Sequence, residues 1–257
     1  MGKGEWIAIN ILINLIVGII AKKFHLLSKK GICAAYILGI IVFRMSITGY
    51  IFLLCFLGIT TGVEHLIIRT EKNDFRTGGQ VICNSLPALL LLCLFYFSKQ
   101  EKYFFMYACL LASSLADSMA SAFGNQYAKK IYSVFTLCEM ERGVSGGISV
   151  IGTVAGILTA FIMGIIYVIC CPQTLWRKNI LNAARLAFWG TLGMMIDSML
   201  GISLQRKYKC LVCKKIVEVK WHCGKKTFPL HKFQLLNNNA VNLISNTVLF
   251  LVLYFVI

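Results

Sequence analysis

Two aspartates stand inside apolar runs of the sequence, Asp117 in "SLADSMASAFG" and Asp197 in "MMIDSMLGISLQ". A charge at membrane depth costs on the order of 3 kcal/mol, so such a residue normally faces a bundle interior or a watery cavity and serves a purpose there. A carboxylate pair in that setting binds a cation or carries protons. The structural alternative is that each aspartate only bonds hydroxyls or amides on neighbouring helices. Asp117, Ala120, Ser121 and Gly124 share one helical face, and such small faces also serve plain helix packing.

Other polar residues gather near these two. Lys129, Lys130 and Arg142 precede "GVSGGIS", Gly143 to Ser149. Backbone N–H groups of Gly143, Ser145, Gly146 and Gly147 can meet a phosphate there, at the partly positive N-terminus of the next helix. No Lys-Ser/Thr pair follows the glycines, so this is not a Walker loop. The alternative is a flexible turn with Ser145 or Ser149 as helix cap. Asn239, Asn242 and Asn246 form a polar stripe at the start of the last apolar run, and Asn84 lies early in the fourth. Asn10 and Asn14, in the first run, read as ties between helices. Cys210 and Cys213 have zinc-knuckle spacing, with His222 and Cys223 as the second ligand pair. Because adjacent residues do not easily reach one ion, His231 is an alternative to His222. The plainer reading is a reduced cysteine pair in a basic hairpin.

These residues need helices to position them. Of the 257 residues 58% are hydrophobic and 14% charged, with a mean hydropathy of +0.75; soluble domains carry about 25% charged residues. This is the composition of an integral membrane protein. Apolar runs near the ~20 residues that cross a bilayer predict about eight spans, at 5–21, 31–46, 49–68, 80–98, 103–121, 147–170, 180–204 and 238–257. The first reads as a retained helix. The expected architecture is all-α, a polytopic bundle forming one membrane domain over 1–257, with a Cys/His hairpin at 206–232. Lys and Arg number 4, 3, 3 and 9 in the first, third, fifth and seventh connections, against 0, 2 and 2 in the others. Positive residues stay in the cytosol, so both termini are expected outside, with the hairpin and both aspartates toward the cytosolic face of the cytoplasmic membrane. The net charge of +16 then suits anionic lipid or phosphates and argues against nucleic acid. Eight further cysteines, scattered through apolar runs, behave as small hydrophobes.

Six blocks in order carry a family resemblance: Lys29 to Gly31, "GGQVICN" at Gly78 to Asn84, "ADSMASAFG" at Ala116 to Gly124, "GVSGGIS", "DSMLGISLQ" at Asp197 to Gln205, and "NNNAVNL" at Asn237 to Leu243. With these the chain resembles the transmembrane protein 19-like integral membrane family (domain of unknown function 92), which includes plant phytyl phosphate kinase. More distantly, Asp117, Ala120 and Gly124 resemble the Asp-x-x-Ala-x-x-x-Gly core of dolichol kinase and phosphatidate cytidylyltransferase. The Lys-Lys-Thr-x-Glu-Gly segment of those enzymes is missing here, and Ser118 and Met119 replace a threonine and an aromatic.

The resemblance implies phosphoryl transfer from CTP to a polyprenyl monophosphate such as phytyl, farnesyl or geranylgeranyl phosphate, assisted by Mg2+. Asp117 and Asp197 would hold the metal, with Arg142 beside them. Lys129, Lys130 and the Gly143 to Gly147 backbone would grip the nucleotide, and Asn84, Ser121, Gln205, Asn239 and Asn242 would orient the acceptor. The competing expectation is an ion-coupled transporter or lipid flippase, favoured by Pro87 in the fourth run and by the echo between the two aspartate segments. A third is a scaffold presenting the Cys/His hairpin to a partner protein.

Overall fold

The structure, a computed structural model, describes residues 3–24, 26–63, 76–171, 175–230 and 236–257. Each apolar run becomes a helix: α1 (Lys3–Lys23), α2 (Lys29–Met45), α3 (Ile47–Val63), α4 (Gly78–Ser98), α5 (Glu101–Tyr127), α6 (Val150–Cys170), α7 (Trp176–Leu204) and α8 (Asn238–Val256). Six of them, α1 and α4 through α8, are long and apolar enough to cross a membrane, where a helix satisfies its own backbone. The protein is an integral membrane helical bundle.

Helices α2 and α3 are shorter, at 17 residues each, so among the described residues six full-length spans stand where about eight were expected. Ser46 alone separates them. Its N–H closes α2 on Val42 O (2.9 Å), and its Oγ caps α3 by accepting from Gly49 N (3.0 Å). The rest of the expected third span, with Glu64, and the connection carrying Glu71 and Asp74 lie outside the described residues.

Helix α5 is the centre of the bundle, buried at every residue from Phe104 to Ala116, as befits a helix that is hydrophobic all round. Around it pack Phe52, Leu91, Leu92, Met163, Leu186 and Leu249 from five other helices. Pro87 sits within α4 without ending it, so the break that would favour a transporter is not there. Asn10 and Asn14 are indeed ties: Asn14 Nδ2 donates to Asn10 Oδ1 (2.7 Å), Asn10 Nδ2 donates to Ile40 O (3.1 Å), and Tyr50 donates to Asn14 Oδ1 (3.1 Å).

Short strands occupy two connections that the sequence did not mark as sheet. Strands β1 (Ile131–Ser133), β2 (Glu139–Met140) and β3 (Gly147–Ile148) make an antiparallel sheet in the order β2-β1-β3 between α5 and α6. Between α7 and α8, β4 (Tyr208–Lys209), β5 (Ile216–Val217) and β8 (Phe228–Pro229) pair in the order β5-β4-β8, while β6 (Trp221–His222) and β7 (Lys225–Lys226) form a separate hairpin. Strands of two or three residues are too short to display alternation.

Candidate functional site

Both aspartates face one cavity, of about 870 Å³, where the ends of α5 and α7 meet the starts of α4, α6 and α8. Asp117 and Ser121 come from α5, Asp197 from α7, Asn84 from α4 and Asn242 from α8, and the loop from Gly143 to Gly147 forms another wall. Each carboxylate is half-buried, and Asp117 feels the charge of both Asp197 and Arg76. Two neighbouring carboxylates facing a polar cavity, with room for waters and phosphates, are a donor set that fits Mg2+.

A hydrogen-bonded chain fixes the second of them. Ser245 Oγ donates to Asp197 Oδ1 (2.7 Å). With its nitrogen turned toward Asp197, the Asn242 amide donates to Asp197 Oδ1 (3.3 Å) and Asn238 O (3.0 Å), and its oxygen lies 3.0 Å from the Asn84 amide. Below this, Asn246 Nδ2 donates to Ser114 Oγ (3.2 Å) and ties α8 to α5. The asparagine stripe thus aligns α4, α7 and α8 around the cavity floor.

Glycines bring the walls together. A Cβ on Gly152 would sit 2.5 Å from Ala120 O, so α6 approaches α5 closely about one turn past Asp117. The caps reinforce this end: Ser149 Oγ accepts from Gly152 N (3.1 Å), and Thr77 and Gln80 form a reciprocal capping box on α4. Gly146 holds φ +84°, and a Cβ there would lie 2.7 Å from the Ile202 backbone nitrogen of α7. Gly146→Ala therefore adds left-handed strain to a clash and is expected to cost about 2 kcal/mol. Thermal unfolding in detergent should give a midpoint several degrees below wild type; an unchanged midpoint would mean that the loop does not pack on α7 in solution.

Several expected ligands lie elsewhere. Lys129 is exposed and outside the lining, and Lys130 pairs across the sheet with Glu139 (3.3 Å), a contact that raises the Lys130 pKa. Arg142 turns away and donates to Ala128 O, at the end of α5. Asn239 lies against Gly79 at the start of α4, while its neighbour Asn238 joins the lining. Gln205 is buried behind the wall and donates to Glu218 Oε2 (2.6 Å).

Two residues missed by sequence reasoning take their places. Glu218, from the hairpin after α7, lines the cavity and accepts from Ser145 N (3.1 Å) and from the Ser145 hydroxyl. A carboxylate thus occupies one of the backbone donors expected for a phosphate, Ser145 N–H. Arg76, just ahead of α4, also lines the cavity. Its signal was its position beside "GGQVICN". Nearby, burial pushes the Lys207 ammonium below its ordinary pKa, against the pull of Glu218, and its Nζ donates to Ile202 O (3.2 Å).

Arg76, Gln80 and Asn84 also line a second space, a narrow apolar cleft of about 70 Å³ among α1, α2, α3 and α4. Its other walls include Val17, Ile32, Leu53, Phe56 and Leu57. An apolar cleft and a polar cavity therefore meet at one arginine, one glutamine and one asparagine.

Outside the cavity, Cys210, Cys213, His222 and Cys223 bring their ligand atoms within 4.8 Å of one another. The doubt about adjacent His222 and Cys223 is removed by the turn between β6 and β7. Cys223 and Gly224 take φ +51° and +72°, as a two-residue hairpin turn with two left-handed positions requires, so His222 and Cys223 do not point apart as in a strand. The Cys213 N–H, then His222, hold the Cys210 thiol down to about 6, whereas burial and its thiol neighbours raise Cys223. His231 lies outside the described residues.

Comparison with known proteins agrees with the architecture. A model of the family "Integral membrane protein DUF92" matches residues 12–250. The chain belongs to this family. It is 25% identical over 209 residues to an uncharacterized membrane protein of Methanocaldococcus jannaschii, covering 77% of this chain and 83% of that protein. A similar match, 25% over 224 residues, links it to an uncharacterized membrane protein of Synechocystis, covering 80% and 83%. Protein PGR of Arabidopsis thaliana is 27% identical over 118 residues, 44% of this chain and 40% of that protein. No solved structure matches.

Proposed function

We propose that this DUF92 protein is a membrane-embedded phosphotransferase that converts a prenyl monophosphate to the diphosphate, with CTP as donor. The observation that carries this reading is the junction of the apolar cleft with the aspartate cavity at Arg76, Gln80 and Asn84. A lipid phosphate has this shape of need: a greasy channel for its chain and a charged, hydrogen-bonding end for its head.

The acceptor phosphate already carries an anionic oxygen, so no general base is required. That oxygen attacks the γ-phosphorus of the nucleotide, the bond from γ-phosphorus to the bridging oxygen breaks, and the nucleoside diphosphate leaves. Catalysis of this kind is mostly positioning and charge neutralisation. Arg76 and Asn84 orient the acceptor, the loop from Gly143 to Gly147 faces the nucleotide, and Ser245 with Asn242 fixes the angle of Asp197. Mg2+ held by Asp117 and Asp197 would supply positive charge for the phosphates.

Purified protein with Mg2+, each NTP in turn, and phytyl, farnesyl and geranylgeranyl phosphates is expected to yield the prenyl diphosphate. No product with any pair, together with ion-driven uptake in liposomes, would favour the transporter; the unbroken α4 and a cavity at one end of the bundle count against that outcome. We further propose that the cavity opens to the cytosol. In intact cells an impermeant thiol reagent should then label Lys102→Cys but spare Lys226→Cys, and the opposite pattern would invert the orientation.

A further inference from the structure

Four soft ligand atoms converge in the hairpin between α7 and α8, and phosphoryl transfer has no use for them. Around a tetrahedral zinc, Zn–S bonds of ~2.3 Å and a Zn–N bond of ~2.0 Å put sulfurs ~3.8 Å apart and each sulfur ~3.5 Å from the nitrogen. The cluster is close to that: Cys213 Sγ lies 3.6 Å and Cys223 Sγ 3.2 Å from His222 Nδ1, and all four atoms fall within 4.8 Å. The first turn is shaped as a knuckle, with Val212 N–H donating to Cys210 Sγ (3.4 Å), Lys214 at φ +62° and Cys210 N–H bonded to Lys215 O (2.9 Å).

A second observation points the same way. The strands here are two residues long, and the large side chains Trp221 and Phe228 are 67% and 64% exposed. With only Tyr208 and Cys210 as buried apolar side chains among its described residues, such a segment needs another staple, and a structural metal is one of the few available. Three thiolates and one imidazole make a closed set, with no position open for catalysis.

We propose that Cys210, Cys213, His222 and Cys223 bind one structural Zn2+, and that this ion holds Glu218 against the glycine loop of the cavity. Glu218 lies between the two ligand pairs, directly after β5. From there it accepts from Ser145 N, the Ser145 hydroxyl and Gln205 Nε2. A second tie, from Ile216 N to Glu141 Oε2 (2.9 Å), joins the same strand to the sheet ahead of α6. The ion therefore sets the height of a carboxylate over the loop that the proposed reaction would use for phosphates. Only that last use rests on the proposed function; the readouts below are independent of turnover.

Elemental analysis of protein purified without chelators should find about one zinc per chain. Loss of supporting partners alone costs ~10–100-fold in metal affinity, so Cys213→Ser should lower zinc content at least ~10-fold, while His222→Cys retains it. Cobalt substitution should give thiolate charge-transfer and tetrahedral ligand-field bands in wild type. Stripping the metal should then speed amide exchange across 143–147 about tenfold, and Glu218→Gln should speed it with zinc still bound. Absence of both zinc and cobalt bands would overturn the metal site. Unchanged exchange at 143–147 after stripping would overturn the positioning of Glu218.

Discussion

Asp117→Asn is expected to lose at least ~10²-fold in turnover while keeping a near wild-type unfolding midpoint. The size is that seen when one group stabilising charge in a transition state is removed. Asparagine has nearly the same volume, so the close α5–α6 approach at Gly152 is undisturbed. The change also removes one of two like charges that act on each other across the cavity, so the lost attraction to Arg76 is offset by relief of the larger repulsion from Asp197. What it removes is half of the donor set for Mg2+, and the Mg2+ concentration giving half-maximal rate should rise with the loss. Asp197→Asn should lose turnover alike and keep its midpoint, because an amide oxygen can still accept from Ser245. If Asp117 merely glues helices, the pattern reverses: the midpoint falls and turnover per folded molecule survives. A folded Asp117→Asn protein with near wild-type rate would remove the carboxylate pair from the mechanism.

The aspartates were legible because composition makes them anomalous. A carboxylate between Ala116 and Ser118 in an apolar run stands out without any knowledge of its neighbours. The glycine loop was legible for a similar reason, since three glycines between three basic residues and a helix have few uses. Facing was not legible. Lys129, Lys130 and Arg142 sit near the loop in sequence, yet β1 buries Ile131 and Ser133 and sends Lys130 outward to Glu139. Spacing along a chain cannot give the side of a strand whose existence its length conceals.

Glu218 illustrates a different limit. Among the lysines of the hairpin it reads as a solvated surface residue, and its contact with Ser145 spans 73 positions. Only the fold of the hairpin carries it to the cavity. The adjacent ligands His222 and Cys223 were doubted on the geometry of an extended strand, and the left-handed turn at Cys223 is what removes the doubt. Gly224 was the available hint, because glycine after a short strand favours that turn.

The apolar cleft was hidden for a related reason: its walls come from four helices whose apolar residues look interchangeable in the sequence. Its meeting with the cavity makes Arg76 the most telling residue to change. Arg76→Gln keeps a hydrogen-bonding side chain of intermediate length and leaves the backbone contact from Ser28 N to Arg76 O (3.1 Å) in place. It removes the charge, and with it a guanidinium 5.7 Å from the Phe56 ring, worth ~0.5–1 kcal/mol of stability at a partly exposed site. Hydrogen bonds to charged groups contribute about 1.5–3 kcal/mol, so the KM for prenyl monophosphate should rise about 10–100-fold. The KM for nucleotide should stay within about twofold, since a loss of ground-state binding appears in the KM of the ligand that is held. Arg76→Lys should recover only part of the loss, because a lysine offers a point charge without the planar fork that matches a phosphate. A rise in the nucleotide KM instead would move Arg76 to the donor side of the cavity. No change in either KM would detach the cleft from the reaction and leave the aspartate cavity without a lipid acceptor.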